Sequence, residues 1–126
     1  MTTGEVEVLD EHQIEELGMG AFLSVAKGST VPPRFIAIRY RGTNAALPPV
    51  AFVGKGITFD TGGISLKPAA NMADMTYDMS GAAVVIGTVM AAALAKLPVN
   101  LLDVVAACEN RPSCSAAKPG DVVTSL

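Results

Sequence analysis

The chain has 126 residues, of which half are hydrophobic and 17% are charged, so it fits one domain or part of a larger one. Its formal net charge is −3 and no basic stripe appears, so we expect no nucleic-acid partner. The acidic N-terminus has no apolar segment of the signal-peptide kind, so we expect a cytoplasmic protein in which Cys108 and Cys114 are reduced thiols.

The apolar composition is high for a small soluble domain, which has much surface relative to its core. Two interpretations compete, a membrane protein and the interior of a larger fold. The longest uncharged apolar stretch, residues 79–95, is shorter than the roughly 20 residues that a bilayer span needs, and it is rich in alanine and glycine. We therefore expect a buried helix there, no membrane partner, and a chain that is part of a larger fold.

The first predicted element is a helix over residues 10–26. Residues 1–14 are expected to contain a preceding linker and the start of this helix. Asp10 suits the N-cap position, and apolar residues recur on one face of the segment. Two glycines near its middle lower the helix propensity and allow close packing or a break. Gly28 provides a C-terminal stop.

The apolar stretches that follow predict strands and a second helix. Residues 34–41 and 50–53 have strand character, and the short glycine-containing link between them predicts an antiparallel hairpin. Residues 79–95 form the helix, and the nearly continuous apolar run 99–108 predicts a strand buried on both faces. Together these elements indicate an α/β fold with a mixed, partly parallel sheet flanked by helices. Residues 121–126 look like the start of another strand.

A glycine-rich stretch at residues 53–78 carries two lysines and two aspartates between a strand and a helix. Asp60 and Asp78 offer carboxylate oxygens, which hard or borderline divalent metals use as ligands. Lys55 lies where the apolar strand gives way to glycine, and a lysine in low dielectric near cations can become a neutral metal ligand. Lys67 precedes a proline, which favours an extended backbone, and its charged head can reach a developing oxyanion.

Each of these residues also has a simpler interpretation. Asp78 could be the N-cap of the following helix, Asp60 could form a turn with the glycines after it, and both lysines could be solvated charges. A phosphate-binding loop is a further option, but neither G-x-x-x-x-G-K-[ST] nor G-x-G-x-x-G is present, and the aspartates would repel phosphate unless a metal intervened. His12 is the only histidine, which excludes a Ser-His-Asp arrangement and a histidine-based metal site.

Three motifs, taken together and in order, closely resemble the leucyl aminopeptidase family, the cytosolic two-zinc M17 peptidases; they are residues 54–68, 75–83 and 108–113. Residues 17–33 and 118–123 resemble stretches that the family has before and after these motifs. The resemblance therefore covers nearly the whole chain. It implies that residues 1–126 are part of an M17-type catalytic domain, zinc-exopeptidase-like in fold and incomplete at the C-terminus.

The resemblance implies a role for each charged residue of the central stretch. Lys55 corresponds to the amine ligand of one zinc, Asp60 to the carboxylate that bridges both metals, and Asp78 to a further carboxylate on the lysine-bound zinc. Lys67 corresponds to the catalytic lysine that polarises the scissile carbonyl or stabilises the gem-diolate. The implied enzyme uses two divalent metal ions, zinc foremost with manganese or magnesium as alternatives, to remove N-terminal residues, leucine-like ones preferred, from peptides. The full-length family member is expected to be a homohexamer.

One motif of the family is not found in the sequence. The family pattern continues with Asn-Thr-Asp-Ala-Glu-Gly-Arg, which supplies two more metal carboxylates and an arginine that holds a bicarbonate, and the chain reaches Leu126 before it. Two divalent cations bring four positive charges, whereas Asp60 and Asp78 supply two negative ones, and an under-neutralised metal pair is costly. We therefore expect this chain alone to be inactive or nearly so. The alternative is a non-catalytic fragment or paralogue that acts as a binding or assembly module.

Overall fold

A mixed four-stranded sheet organises the computed structural model, which describes residues 3–125. Its strands are β1 (Thr3–Leu9), β2 (Arg34–Arg41), β3 (Val50–Asp60) and β4 (Asn100–Asn110), and its α-helices are α1 (Glu11–Glu16), α2 (Gly20–Ala26) and α3 (Ser80–Leu94). A short 3-10 helix, Met72–Tyr77, precedes α3. The strand order is β1-β2-β4-β3; the first two pairs are antiparallel and β3 runs parallel to β4. The predicted α/β class with a mixed, partly parallel sheet is confirmed.

Strand β4 lies between β2 and β3. The β3–α3–β4 segment is therefore the predicted unit of two parallel strands joined by a helical crossover. The predicted hairpin of β2 and β3 is wrong, because β4 separates these two strands. A central strand has neighbours at both edges and helices over its faces, and the nearly continuous apolar run of β4 suits that place better than the glycine-containing β3 does.

An edge strand is formed by Thr3–Leu9, where the sequence predicts a linker before the first helix. In β1, Val6 pairs with Ile38 and Val8 with Ile36 of the antiparallel strand β2. The signal for this strand is the alternation of acidic and apolar residues from Glu5 to Val8, which has the period of two that strands show.

The single helix predicted over residues 10–26 is in fact the two helices α1 and α2. Asp10 caps α1 as predicted: its carboxylate accepts a hydrogen bond from the Gln13 N–H at 3.0 Å, and the Gln13 side chain accepts one from the Asp10 N–H at 2.9 Å. The break follows at Gly18, whose φ of 73° lies in the left-handed region that glycine adopts without strain. At the other end, residues 121–125 form no strand, contrary to the prediction, and Leu126 lies outside the described residues.

Helix α3 covers β3 and β4 with one face only. Its buried residues pack with side chains of β2 and β4 into two core clusters; these helix residues are Ala82, Val85, Val89 and Ala92. The other face is open to solvent, where Val84 is 68% and Leu94 is 81% exposed. The expectation of a buried helix is therefore correct for only one of its faces. Within residues 3–125, the stretch Met72–Leu94 is long and apolar enough to cross a membrane, a test that a core helix also passes.

Asp103 is a charged residue within this core. It lies on β4 between Leu101 and Val105, it is 0% exposed, and neither of its carboxylate oxygens has a hydrogen-bond partner among residues 3–125. Burial raises the pKa of this carboxyl, because removal from water disfavours the charged form.

Candidate functional site

Lys55 and Asp60 both lie on β3, which continues to Asp60 although the prediction ended the strand at residue 53. The strand passes through Gly54, the residue that follows its predicted end. A Cβ atom built on Gly54 would lie 2.7 Å from the carbonyl oxygen of Gly81 at the start of α3. This glycine therefore allows the helix to approach the strand, which is a common reason for glycine inside a strand.

A β-bulge in β3 determines which way its last residues face. The register between β3 and β4 shifts by one residue between Ile57 and Phe59, so Thr58 is an extra residue on β3. The spacing of Lys55 and Asp60 is odd, and in a regular strand the two would lie on opposite faces. Because of the extra residue, their register partners on β4 have an even spacing, and both residues occupy positions of the same face.

The Asp60 carboxylate accepts hydrogen bonds from three donors. Its Oδ1 accepts from the Gly62 N–H at 2.9 Å and from Asn110 Nδ2 at 2.8 Å, and its Oδ2 lies 2.7 Å from Lys67 Nζ. Burial alone raises the pKa of this carboxyl, but the hydrogen bonds, that from Lys67 foremost, lower it well below its usual range. Asp60 is therefore anionic at neutral pH, and its bond with Gly62 shows that it also forms the turn that the simpler interpretation predicted.

Lys55 and Asp78 form a second ion pair, in which Lys55 Nζ lies 2.7 Å from Asp78 Oδ2. The predicted alternative role of Asp78 as a helix cap is wrong, because the N-cap of α3 is Met79 and no side chain caps the helix. The Oδ2 atom of Asp78 is buried and makes no hydrogen bond with any residue from 3 to 125, so its contact with Lys55 is a close approach of charges without hydrogen-bond geometry. The Lys55 side chain is 58% exposed, which places this pair at the rim of the site.

Lys67 ends a turn that begins at Thr61. Its N–H donates to the Thr61 carbonyl oxygen at 2.9 Å, and the turn contains two consecutive glycines with φ values of 93° and 71°, which other residues adopt only with strain. The Nζ atom of Lys67 contacts Asp60 and lies 3.1 Å from the sulfur of Met75. The turn therefore directs the lysine back to the end of β3, so Lys67 is not a solvated charge.

The structure thus brings all four predicted site residues together as two neighbouring ion pairs, Lys55–Asp78 and Lys67–Asp60. The two pairs adjoin, because Asp78 is among the neighbours that lower the pKa of the Asp60 carboxyl. Two carboxylates and two ammonium groups in contact leave the cluster close to neutral.

The donors in this cluster fit part of a divalent-metal site. From residue 3 to residue 125, no group of three or more His, Cys, Asp or Glu side chains is close enough together to hold a metal ion. The available donors are therefore the two carboxylates and the amine of Lys55. The buried Oδ2 of Asp78, which no hydrogen bond satisfies, is the observation that fits a metal, because a carboxylate oxygen beside a nitrogen donor is a combination that divalent ions bind.

The sequence was compared with those of known proteins. The sequence model of the catalytic domain of the cytosol aminopeptidase family matches residues 1–126. The chain belongs to the cytosol aminopeptidase family. This confirms the resemblance inferred from the three motifs.

Three curated relatives are each called a probable cytosol aminopeptidase. Those of Azoarcus sp. (strain BH72) and Cupriavidus metallidurans are 57% and 60% identical to this chain over 122 residues, which is 97% of the chain and 24% of each relative. That of Bordetella petrii is 59% identical over 125 residues, which is 97% of the chain and 25% of the relative. The chain thus spans about a quarter of the length of the curated relatives it matches.

Two residues of the cluster were not predicted from the sequence, Asn110 and Met75. The position of Asn110 could have been predicted from the strands. Neighbouring parallel strands end at the same edge of a sheet, so the side chains of their last residues lie close together. In the structure Asn110 and Asp60, the last residues of β4 and β3, are register partners. Met75 reaches Lys67 from the 3-10 helix, and we find no sequence signal for that helix.

Proposed function

We propose that this chain contributes the lysine-containing part of a two-metal site that removes N-terminal residues, leucine-like ones preferred, from peptides in the cytoplasm. The observation that carries the proposal is the 2.7 Å approach of Lys55 Nζ to the buried, otherwise unsatisfied Oδ2 of Asp78, beside Asp60. A purely structural ion pair normally satisfies its buried oxygens with hydrogen bonds. An amine beside a buried carboxylate oxygen that no hydrogen bond satisfies suits a divalent cation.

The residues of the cluster have separate tasks in this proposal. Lys55, as the neutral amine, and the carboxylates of Asp60 and Asp78 would hold the ions. Two divalent ions, zinc foremost with manganese or magnesium as alternatives, would supply Lewis acidity and an activated water. Lys67 keeps its positive charge and stabilises the negative charge that develops on the oxygen of the scissile carbonyl.

The two ion pairs support these tasks, because each aspartate has a cation beside it. The ammonium group of Lys55 lies where a positive charge is needed next to Asp78. A lysine coordinates a metal only after it loses its proton, so a bound ion would take over the charge that Lys55 carries in the free chain. Lys67 is part-buried against Asp60, and its ammonium group needs no deprotonation for its task.

Most of the length of the relatives has no counterpart in this chain, since the match covers 24% of the Azoarcus protein. We propose that the further metal carboxylates, the arginine for bicarbonate and the contacts of a homohexamer belong to that remaining length. The 126-residue chain by itself is expected to be inactive or nearly so, because two carboxylates do not neutralise two divalent ions.

A chimaera tests the proposal. Residues 1–126 replace the matching segment of the Azoarcus relative, and hydrolysis of leucine p-nitroanilide is measured with Zn²⁺ or Mn²⁺. We expect turnover, which falls to background in the chimaeras with Lys55→Ala or Asp60→Ala. The matched control is Lys27→Ala, which removes an exposed lysine outside the cluster and should retain activity. Retained activity in the Lys55 and Asp60 variants would contradict the assignment.

The second candidate function is a non-catalytic binding or assembly module. The exposed apolar face of α3 favours it, since Val84, Met90 and Leu94 are 68%, 57% and 81% exposed and contiguous apolar surface often marks an interaction site. The same chimaera distinguishes the two functions. A chimaera that folds with the thermal stability of the parent relative but has no aminopeptidase activity would support the module.

A further inference from the structure

The last residue of β4, Asn110, is the register partner of the last residue of β3, Asp60. The bulge at Thr58 makes them partners, because without the extra residue Asp60 would lie opposite Arg111. The two carboxyl-terminal strand ends thus place an amide directly beside a carboxylate. This contact is formed within the sheet itself, so both backbones are held by strand hydrogen bonds.

Each polar group of Asn110 has a defined partner or neighbour. Its side-chain Nδ2 donates to Asp60 Oδ1 at 2.8 Å. Its backbone carbonyl oxygen accepts hydrogen bonds from the N–H and the hydroxyl of Thr61, at 2.9 Å and 2.8 Å. Its side-chain Oδ1 faces Gly63, where an added Cβ atom would lie 2.8 Å away. The glycine therefore leaves room for the amide in this orientation.

The consequence for Asp60 is that its two oxygens are not equivalent. Oδ1 accepts two hydrogen bonds, from Asn110 and from the Gly62 N–H, which together occupy its lone pairs. Oδ2 has the single partner Lys67. A reversed Asn110 amide would place an oxygen against Asp60 Oδ1, so the amide orientation and the carboxylate orientation fix each other.

We propose that Asn110 is a positioning residue of the metal site: it holds Asp60 so that Oδ1 is bonded to the protein and Oδ2 is the oxygen presented to metal. This inference rests on the proposed function of Asp60 as a metal ligand. Asn110 itself touches neither substrate nor metal in this role. Residues that orient metal-binding carboxylates through a hydrogen bond typically change metal affinity by 10–100-fold when removed.

The test compares variants of two asparagines on the same strand. Asn110→Ala removes the donor to Asp60, and Asn110→Gln retains an amide donor. Asn100→Ala is the matched control, since the Asn100 amide donates to the carbonyl oxygens of Asn44 and Leu47 at the other end of β4. Affinity for Zn²⁺ and Mn²⁺ is measured by competition with a chelator, together with thermal stability, in the chimaera that carries residues 1–126 in place of the matching segment of the Azoarcus relative.

We expect about 10–100-fold weaker metal binding in Asn110→Ala, partial recovery in Asn110→Gln, and unchanged affinity in Asn100→Ala despite its loss of stability. Equal affinity of the Asn110→Ala and unmodified chimaeras overturns the inference and leaves the proposed function standing. If the unmodified chimaera binds neither metal, the metal role of this segment fails. The side-chain NH₂ resonances of Asn110 in the metal-free chain then decide the positioning contact: a shift on Asp60→Ala supports it, and no shift overturns it.

Discussion

Gly54 of β3 and Gly81 of α3 meet backbone to backbone, and a Cβ atom on Gly54 would lie 2.7 Å from the Gly81 carbonyl oxygen. Each glycine is close in sequence to a residue of the cluster: Lys55 follows Gly54, and Asp78 lies three residues before Gly81. The close approach of strand and helix thus brings Lys55 Nζ to 2.7 Å from Asp78 Oδ2. Packing and site geometry depend on the same contact.

We predict that Gly54→Ala destabilises the fold by about 1–3 kcal/mol, because the added methyl overpacks the contact with α3. Gly87→Ala is the matched control, since nothing lies within 4 Å of a Cβ built at this exposed helix position. That variant should gain up to about 1 kcal/mol from the better helix propensity of alanine. Urea unfolding gives both values. A Gly54→Ala protein as stable as the original would show that strand and helix separate without cost.

Asp103 should make the stability of the fold fall as pH rises. Its pKa in the folded chain is raised above the ordinary value of 3.8 by burial, so the folded state holds the proton more tightly than the unfolded state. The resulting stabilisation is fully present below pH 3.8 and is lost as pH rises through the raised pKa. Helix α3 packs on the face of β4 that carries Asp103. From Ser80 to Leu94 this helix has no charged residue that could offset the effect.

The measurement compares Asp103→Asn with the original chain by urea unfolding between pH 4 and 8. We expect the free energy of unfolding of the variant to exceed that of the original by an amount that grows with pH. Asp103→Val, which removes the unsatisfied polar group altogether, should gain about 1–3 kcal/mol at neutral pH. A constant difference across the pH range would mean that Asp103 has a partner or water in solution.

The two thiols should differ strongly in reactivity. Burial foremost, with the nearby charges of Asp60 and Glu109, raises the pKa of Cys108 to about 11, whereas Cys114 is exposed. Because the thiolate is the reactive form, Ellman's reagent at pH 8 should modify Cys114 rapidly and Cys108 only after unfolding. The Cys114→Ser chain should show no rapid phase. Two rapid equivalents in the original chain would contradict the burial of Cys108.

Lys55→Met should separate the role of the ion pair in stability from the metal-binding role that we propose for Lys55. The Lys55 side chain is more than half exposed, and such pairs contribute about 0–1 kcal/mol to stability. We therefore expect a small change in the unfolding midpoint and a loss of Zn²⁺ binding in calorimetric titration. A large loss of stability with unchanged metal binding would indicate a structural pair.

The sequence was informative about chemistry and less so about register. Lys55, Asp60, Lys67 and Asp78 were selected because their side chains suit metal and oxyanion chemistry, and the structure brings them together. The β2–β3 hairpin was wrong because a short glycine-containing link predicts a reversal of direction but not which strand becomes the neighbour. The strand was predicted to end before Gly54, since a sequence does not distinguish glycine that bends the chain from glycine that allows a helix to approach.

The bulge at Thr58 limits what this strand can tolerate. Substitutions between Lys55 and Asp60 change single side chains. A deletion or insertion of one residue there would instead move the side chain of Lys55 or of Asp60 to the opposite face of the sheet. The interval between them is therefore fixed more tightly than the identity of the residues inside it. Length variation in this protein should be confined to segments such as residues 42–49, which connect strands without setting the register of Lys55 or Asp60.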